Sequence, residues 1–425
     1  MKKILIILLF LIVHCTLQIE NCLCQLPPRY YWRQITSPSN DNLNYISNSY
    51  GSGPYFIAGN NGTILYSDNG WTFYRVQGMR SENFNCIENT NLSAYTGVGQ
   101  NGIIYTFNNL PPTVLREISG TTVNLRSVSG NRTYDFPPVF NRIAVGNNGT
   151  ILKTTRILPG NWGPWNQITS GTSQNLNSVN FCNVYSTQFV NPVGCIVGDN
   201  GIILRTTNWG DNWSVINAGI TNKLNYVHFT DTMTCWITGS NGLLMKSSNR
   251  GLNWITISTD SNMDIKCFLL TSTYFFPVSF TTYFICGNNG VILQSTNYGV
   301  NWVNSQAPTQ NNLNSFSYYD IIVGNSGTIL RRDTDSNYIR FRILQGNNIK
   351  SFFINTGIFD QDNRSGSLAG FEWPKGSGKI AIFTAGLTIA AYYQGELREA
   401  SASYEGEYYP GICNNGIAYA SDTFK

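Results

Sequence analysis

The stretch Gly194-Cys195-Ile196-Val197-Gly198-Asp199-Asn200-Gly201-Ile202-Ile203-Leu204-Arg205-Thr206-Thr207-Asn208-Trp209-Gly210-Asp211-Asn212-Trp213 decides the fold. A short apolar run enters Gly198-Asp199-Asn200-Gly201, and a second apolar run leaves it. Asn-Gly is the pair that a tight type I′ hairpin demands, because both central residues take positive φ. Runs of four to five Ile, Val and Leu bounded by such a turn read as antiparallel strands. A polar turn, Thr206 to Asn212, then leads to a tryptophan that opens a further strand.

Working outward, the same Gly-x-Asn-Gly returns at Gly59, Gly99, Gly146, Gly239 and Gly287, and as Gly324-Asn325-Ser326-Gly327. Successive copies stand about 37 to 52 residues apart. Upstream of each lies an apolar-polar-x-apolar strand: Leu43-Asn44-Tyr45-Ile46, Phe84-Asn85-Cys86-Ile87, Leu125-Arg126-Ser127-Val128, Leu176-Asn177-Ser178-Val179, Leu224-Asn225-Tyr226-Val227, Ile265-Lys266-Cys267-Phe268 and Leu313-Asn314-Ser315-Phe316. Downstream comes Ser/Thr-x-Asn-x-Gly-x-x-Trp, cleanest at Thr206–Trp213, Ser247–Trp254 and Ser295–Trp302. A period near forty with several strands per repeat predicts an all-β, seven-bladed β-propeller over residues 28–338. Trp32-Arg33-Gln34-Ile35-Thr36 matches the outer-strand stretch Trp165-Asn166-Gln167-Ile168-Thr169. The N-terminal strand is therefore expected to complete the last blade, closing the ring and removing its open sheet edges. Such a closed ring is expected to act as a monomer.

Composition narrows the function classes. Charged residues are 12% and aromatic residues 13% of the chain, with a net charge of +4. No basic stripe is visible, which argues against nucleic-acid binding. Lys2 and Lys3 followed by the apolar Ile4–Val13 read as a signal peptide over residues 1–24. No later run is long and apolar enough for a membrane span. The expected location is secreted or at the cell surface, with the periplasm as an alternative. Export makes disulfides available, with Cys182 and Cys195, and Cys267 and Cys286, on neighbouring strands. Buried thiols are the other reading of the same residues.

The search for chemistry finds no catalytic site, metal site or cofactor motif. After residue 24 the chain has one histidine, His228, and no G-x-S-x-G, P-loop or H-E-x-x-H. The enzyme reading weighed against this is glycoside hydrolysis, which needs paired acids or a tyrosine nucleophile with a glutamate partner. Asp41 and Glu88 are the acids placed to reach the ring axis.

The polar turn resembles the Asp-box of bacterial neuraminidase-type (BNR) repeats, where it is structural. Combined with apolar-V-G-x-N-G-x-I-L, it makes residues 28–338 similar to propellers of the photosystem II assembly and stability factor type. That resemblance implies a binding role, through a basic patch in the photosynthetic members; no such patch is matched here. The tail, residues 345–425, reads as a small β-rich module. Its Phe371-Glu372-Trp373-Pro374-Lys375-Gly376 and Tyr408-Tyr409-Pro410-Gly411 stretches resemble a module of large secreted proteins in Bacteroidota and Ignavibacteria-type relatives. The sorting domain that often ends those proteins is not visible, so a fragment is one expectation and another export route the second. The Gln394-Gly395 pair reads as a hairpin turn.

Three blades carry long loops after the first strand. They hold Tyr134, Phe136 and Phe140; Tyr185 and Phe189; and Tyr274, Phe275 and Phe276. In propeller topology these loops share one face, together with the box residues Trp209 and Tyr298. The expected function is an exported, non-catalytic binding or scaffold protein whose partner is a protein or a surface glycan. The alternative is a glycan-binding or glycoside-hydrolysing, sialidase-like propeller.

Overall fold

In a computed structural model the described residues are 30–47, 54–91, 94–108, 112–132, 139–158, 160–182, 193–259, 262–275, 278–317, 320–334, 339–341, 352–354, 388–393 and 396–401. Seven four-stranded antiparallel sheets follow one another in chain order, as the repeat predicts. The fourth blade shows the pattern: inner strand Leu176–Phe181, second strand Gly194–Gly198, third strand Ile203–Thr206 and outer strand Ser214–Val215. The seventh blade takes its outer strand, Tyr30–Gln34, from the N-terminal side of the ring.

Side chains alternate across each strand, so every blade is apolar on both faces and must be covered on both. Seven buried clusters meet this need, one at each blade interface. The cluster joining the seventh blade to the first contains Ile321, Val323 and Ile329 with Leu43, Ile57 and Leu65. Trp32 is 4% exposed and sits in the cluster between the sixth and seventh blades. Its ring meets Phe316 and Phe284 edge to face at 5.4 and 5.8 Å, and its Nε1 donates to Ser305 Oγ.

The Gly-x-Asn-Gly turns join second and third strands. Asn200 and Gly201 both have positive φ, 54° and 69°, and Ile202 N–H donates to Asp199 O. The loop is wider than a two-residue hairpin, because strand pairing ends at Val197 and Ile203 and Gly198 N–H donates to Ile202 O. The extra width lets the turn touch the next blade: Gly201 N–H donates to Asn222 O at 2.8 Å. A Cβ on Gly201 would lie 2.1 Å from the Ile220 carbonyl oxygen, so both φ and proximity require glycine.

A different contact joins blades at the opposite end. In the box of the fourth blade, Thr206 Oγ1 accepts from Gly210 N–H and Asn208 Oδ1 accepts from Asn212 N–H. Ser247 and Asn249 do the same in the fifth blade, and Ser295 and Asn297 in the sixth. Third-strand cations of one blade hold the box of the next: Arg205 donates to Arg250 O, and Arg331 donates to Asn69 O. The box is a structural device here, as the sequence suggested.

Outside the ring, Ile339–Phe341 pairs with Phe352–Ile354, and Thr388–Tyr393 with Glu396–Ser401; the expected Gln394-Gly395 turn lies outside the described residues. Among the described residues no helix is long and apolar enough to cross a membrane.

Replacing Trp32 with Ala should open the ring at its closing blade and cost about 3–5 kcal/mol. Equilibrium denaturation measures this; a loss below about 1 kcal/mol would contradict the closure role.

Candidate functional site

The centre of the ring opens into a cavity of about 320 Å³. It lies at the end that carries the Gly-x-Asn-Gly turns, because its walls are the first residues of the inner strands and the linkers before them. The second position of each inner strand forms one layer: Asn44, Asn85, Arg126, Asn177, Asn225, Lys266 and Asn314. Each asparagine spans two blades. Asn44 Nδ2 donates to Asn60 Oδ1 of its own turn and to Phe84 O of the next inner strand, both at 2.8 Å. Asn177 repeats this pair with Asp199 of its own turn and Leu224 O, whereas Asn85 and Asn225 reach the next inner-strand carbonyl and, beside it, a side-chain oxygen of the next linker, Asn124 or Asp264. Asn314 donates to Leu43 O at 2.9 Å and carries the chain of bonds from the seventh blade to the first.

Two blades depart from this layer. Arg126 donates through Nε to Asn147 Oδ1 and through one terminal nitrogen to Asn177 Oδ1. Lys266 Nζ lies 3.0 Å from Asp264 Oδ2. Lys223 adds a third cation from the linker before the fifth blade. Among the described residues no carboxylate lines the cavity, but two stand behind it. Burial alone would raise the Asp199 carboxyl; hydrogen bonds from Asn177 and Asn175 and the charges of Lys223 and Arg126 hold it below the usual range. Asp264 is held low against burial by Lys266, Asn225 and Lys223.

Deeper in the ring stand Tyr45, Tyr226, Glu88 and His228. Tyr45 donates its hydroxyl to Glu88. Burial first, and then the charge of Glu88, push the Tyr45 hydroxyl well above its ordinary value. A tyrosine nucleophile needs the opposite shift, so this pair is poorly suited to the glycosidase chemistry weighed from the sequence. Asp41, the other acid considered there, accepts from Ser39, Thr63 and Asn61. His228 is buried, stacks on Tyr226 at 6.0 Å and is pushed down to about 4 by desolvation. Among the described residues no three His, Cys, Asp or Glu are grouped to hold a metal ion.

The sequence-derived aromatic candidates that are described stand at the other end of the ring. Tyr134, Phe136, Tyr185, Phe189 and Phe276 lie outside the described residues. Tyr274 and Phe275 end a long hairpin of the sixth blade, paired with Ser279 and Val278. Phe140 is a correction: it sits in the second strand of its blade, 4% exposed, because the strand starts at Val139 and turns this side chain inward. Trp209 and Tyr298 do occupy equivalent box positions, with φ of 62° and 60°. Trp209 is half-buried, while Tyr298 is 68% exposed. Exposed beside them are Leu252 and Met233 in the fifth blade and Val300 in the sixth. Arg250 N–H donates to Met233 O, which ties the first loop of that blade to its box and sets both at one end.

The described cysteines are free thiols: Cys86, Cys182, Cys195, Cys235, Cys267 and Cys286. Cys267 and Cys286 face each other across two strands with Sγ atoms 3.4 Å apart. Cys195 shares a buried cluster with Cys235 of the next blade, and Cys182 packs against the same cluster.

Fold and site together define a seven-bladed β-propeller with Asp-box turns and a polar, cation-bearing axial cavity. Residues 157–367 match the model of the family described as photosynthesis system II assembly factor YCF48. Among solved structures, "YCF48 bound to D1 peptide" is similar, with 17% identity and a TM-score of 0.52 over 73% of this chain and 96% of that one. YCF48 from Cyanidioschyzon merolae is similar at 15% identity and a TM-score of 0.52, over 71% of this chain and 98% of that one. At these identities the likeness to the solved structures shows the fold. No curated protein matches the chain.

The lowered His228 value has a direct consequence. The unfolded chain binds a proton near pH 6.5 that the folded ring refuses until about pH 4. Stability should therefore fall as the pH drops through that window, by at most about 3 kcal/mol. His228→Gln should flatten the pH dependence of urea denaturation there; an unchanged slope would contradict the assignment.

Proposed function

We propose that this chain is a non-catalytic protein-binding propeller that holds a segment of a partner polypeptide, in the manner of an assembly or scaffold factor. The observation that carries the reading is the set of exposed apolar side chains on the box turns of neighbouring blades. Tyr298 and Val300 are 68% and 73% exposed, and Leu252 is 49% exposed. The box needs its Ser or Thr, Asn, Gly and Trp for its own bonds and packing. It needs nothing apolar at these intervening positions, so their chemistry is free to serve a contact. Aromatic and aliphatic residues on turns held by a rigid scaffold suit a polypeptide partner. The family match and the peptide-bound similar structure support the same class of role. The photosystem partner is not carried over.

The loops with Tyr185, Phe189, Tyr274, Phe275 and Phe276 extend this face in the reading, together with Tyr134 and Phe136. The signal-like residues 1–24 support work outside the cytoplasm, in a secreted or surface-bound form.

Capture from the native source with the immobilised chain tests the proposal. The triple variant Leu252→Ser, Tyr298→Ser, Val300→Ser should fold as the parent does and lose partner capture by about tenfold or more. Capture unchanged in that variant would count against this face.

A further inference from the structure

The axial cavity at the turn end lies away from the proposed protein-binding face and carries chemistry of its own. In five blades the second inner-strand residue is asparagine, whose amide bridges to the next blade. The third and sixth blades substitute Arg126 and Lys266. Neither cation repeats the asparagine bridge to the next inner-strand carbonyl: Arg126 bonds side-chain oxygens, and Lys266 bonds Asp264. The ring therefore gives up a structural bond at these two positions and gains two charges at one opening. Lys223 joins them at the rim, exposed, its ammonium without a hydrogen bond among the described residues.

We infer that this cavity binds a small free oxyanion, a carboxylate or phosphate compound, between Arg126, Lys266 and Lys223. Arg126 is held at a fixed angle by Asn147 and Asn177, which use only part of its guanidinium fork. The remaining N–H groups match an oxyanion's geometry. Ser127, Ser178 and Ser315 accept backbone N–H groups through Oγ and so keep their hydroxyl protons to donate, and no carboxylate among the described lining residues repels the ligand. Asp199 and Asp264 behind the wall offset part of the positive field, which favours a ligand of low charge over a polyanion. The volume of about 320 Å³ is at the lower end for small-molecule sites, room for a metabolite-sized acid.

The test uses the full chain and two probes, lactate and inorganic phosphate, titrated calorimetrically against sodium chloride of equal ionic strength. Arg126→Asn with Lys266→Asn restores the repeat's own residue at both positions, so this variant should fold at least as stably. The parent should bind at least one probe saturably, and the double variant should bind it at least about tenfold more weakly. Lys223→Gln, which removes an exposed side chain with no structural bond, should weaken binding severalfold and serves if the double variant does not fold. No saturable binding of either probe by the parent would overturn the inference. Equal affinity in the folded variants would overturn it as well. Partner capture on the other face is read separately, so failure of one reading leaves the other intact.

Discussion

The structure depends on a hydrogen bond from a turn glycine of one blade to the linker of the next. A blade is a four-stranded sheet with two apolar faces, and alone it would bury neither. The Gly-x-Asn-Gly turn fixes how adjacent blades meet, because its last glycine presents an N–H to the carbonyl two residues before the next inner strand. Gly62 reaches Glu82, Gly149 reaches Gln174, Gly201 reaches Asn222 and Gly242 reaches Met263. Gly327 reaches Asp41, so the same bond that spaces the blades also closes the circle. Left-handed asparagine and glycine are the residues that form this turn cheaply, which is why a short motif specifies so much.

A second consequence is a division of labour between the two ends of the ring. At the turn end, backbone bonds and the asparagine layer hold the blades, and the polar cavity forms where those layers converge. At the box end, the blades are held by Ser or Thr, Asn and Gly within each turn and by third-strand cations between turns. The positions between these fixed residues vary freely. They carry Leu252, Tyr298 and Val300 in neighbouring blades, and this freedom makes the box end suited to binding.

Most of the architecture was legible in the sequence because each repeat announces itself locally. The seven turns, the order of strands and the Trp32 closure all follow from motifs that span fewer than a dozen residues each. The cavity was harder to see. Arg126, Lys223 and Lys266 stand on three different blades, and only closure of the ring brings them to one opening. The signal was present as a departure from the repeat, since cations replace asparagine at the same position in two of the seven inner strands. The buried ion pair of Arg142 with Glu117, capped by Trp165 Nε1, was hidden for the same reason. Its partners lie in adjacent blades and match no motif. Phe140 was misplaced because strand alternation, not loop membership, decides where its ring points. Cys195 was considered beside Cys182 because sequence reading favours neighbouring strands, whereas folding also brings Cys235, across a blade interface, into the same buried cluster.

In the proposed role, binding resides at the box end of the fifth and sixth blades while the turn end maintains the ring. Hydrogen–deuterium exchange of the chain with and without its captured partner tests this most directly. The account predicts new protection at the box turns 249–253 and 297–301, with the turns at 199–202 and 240–243 unchanged. Protection confined to those turns, with the boxes unaffected, would contradict it.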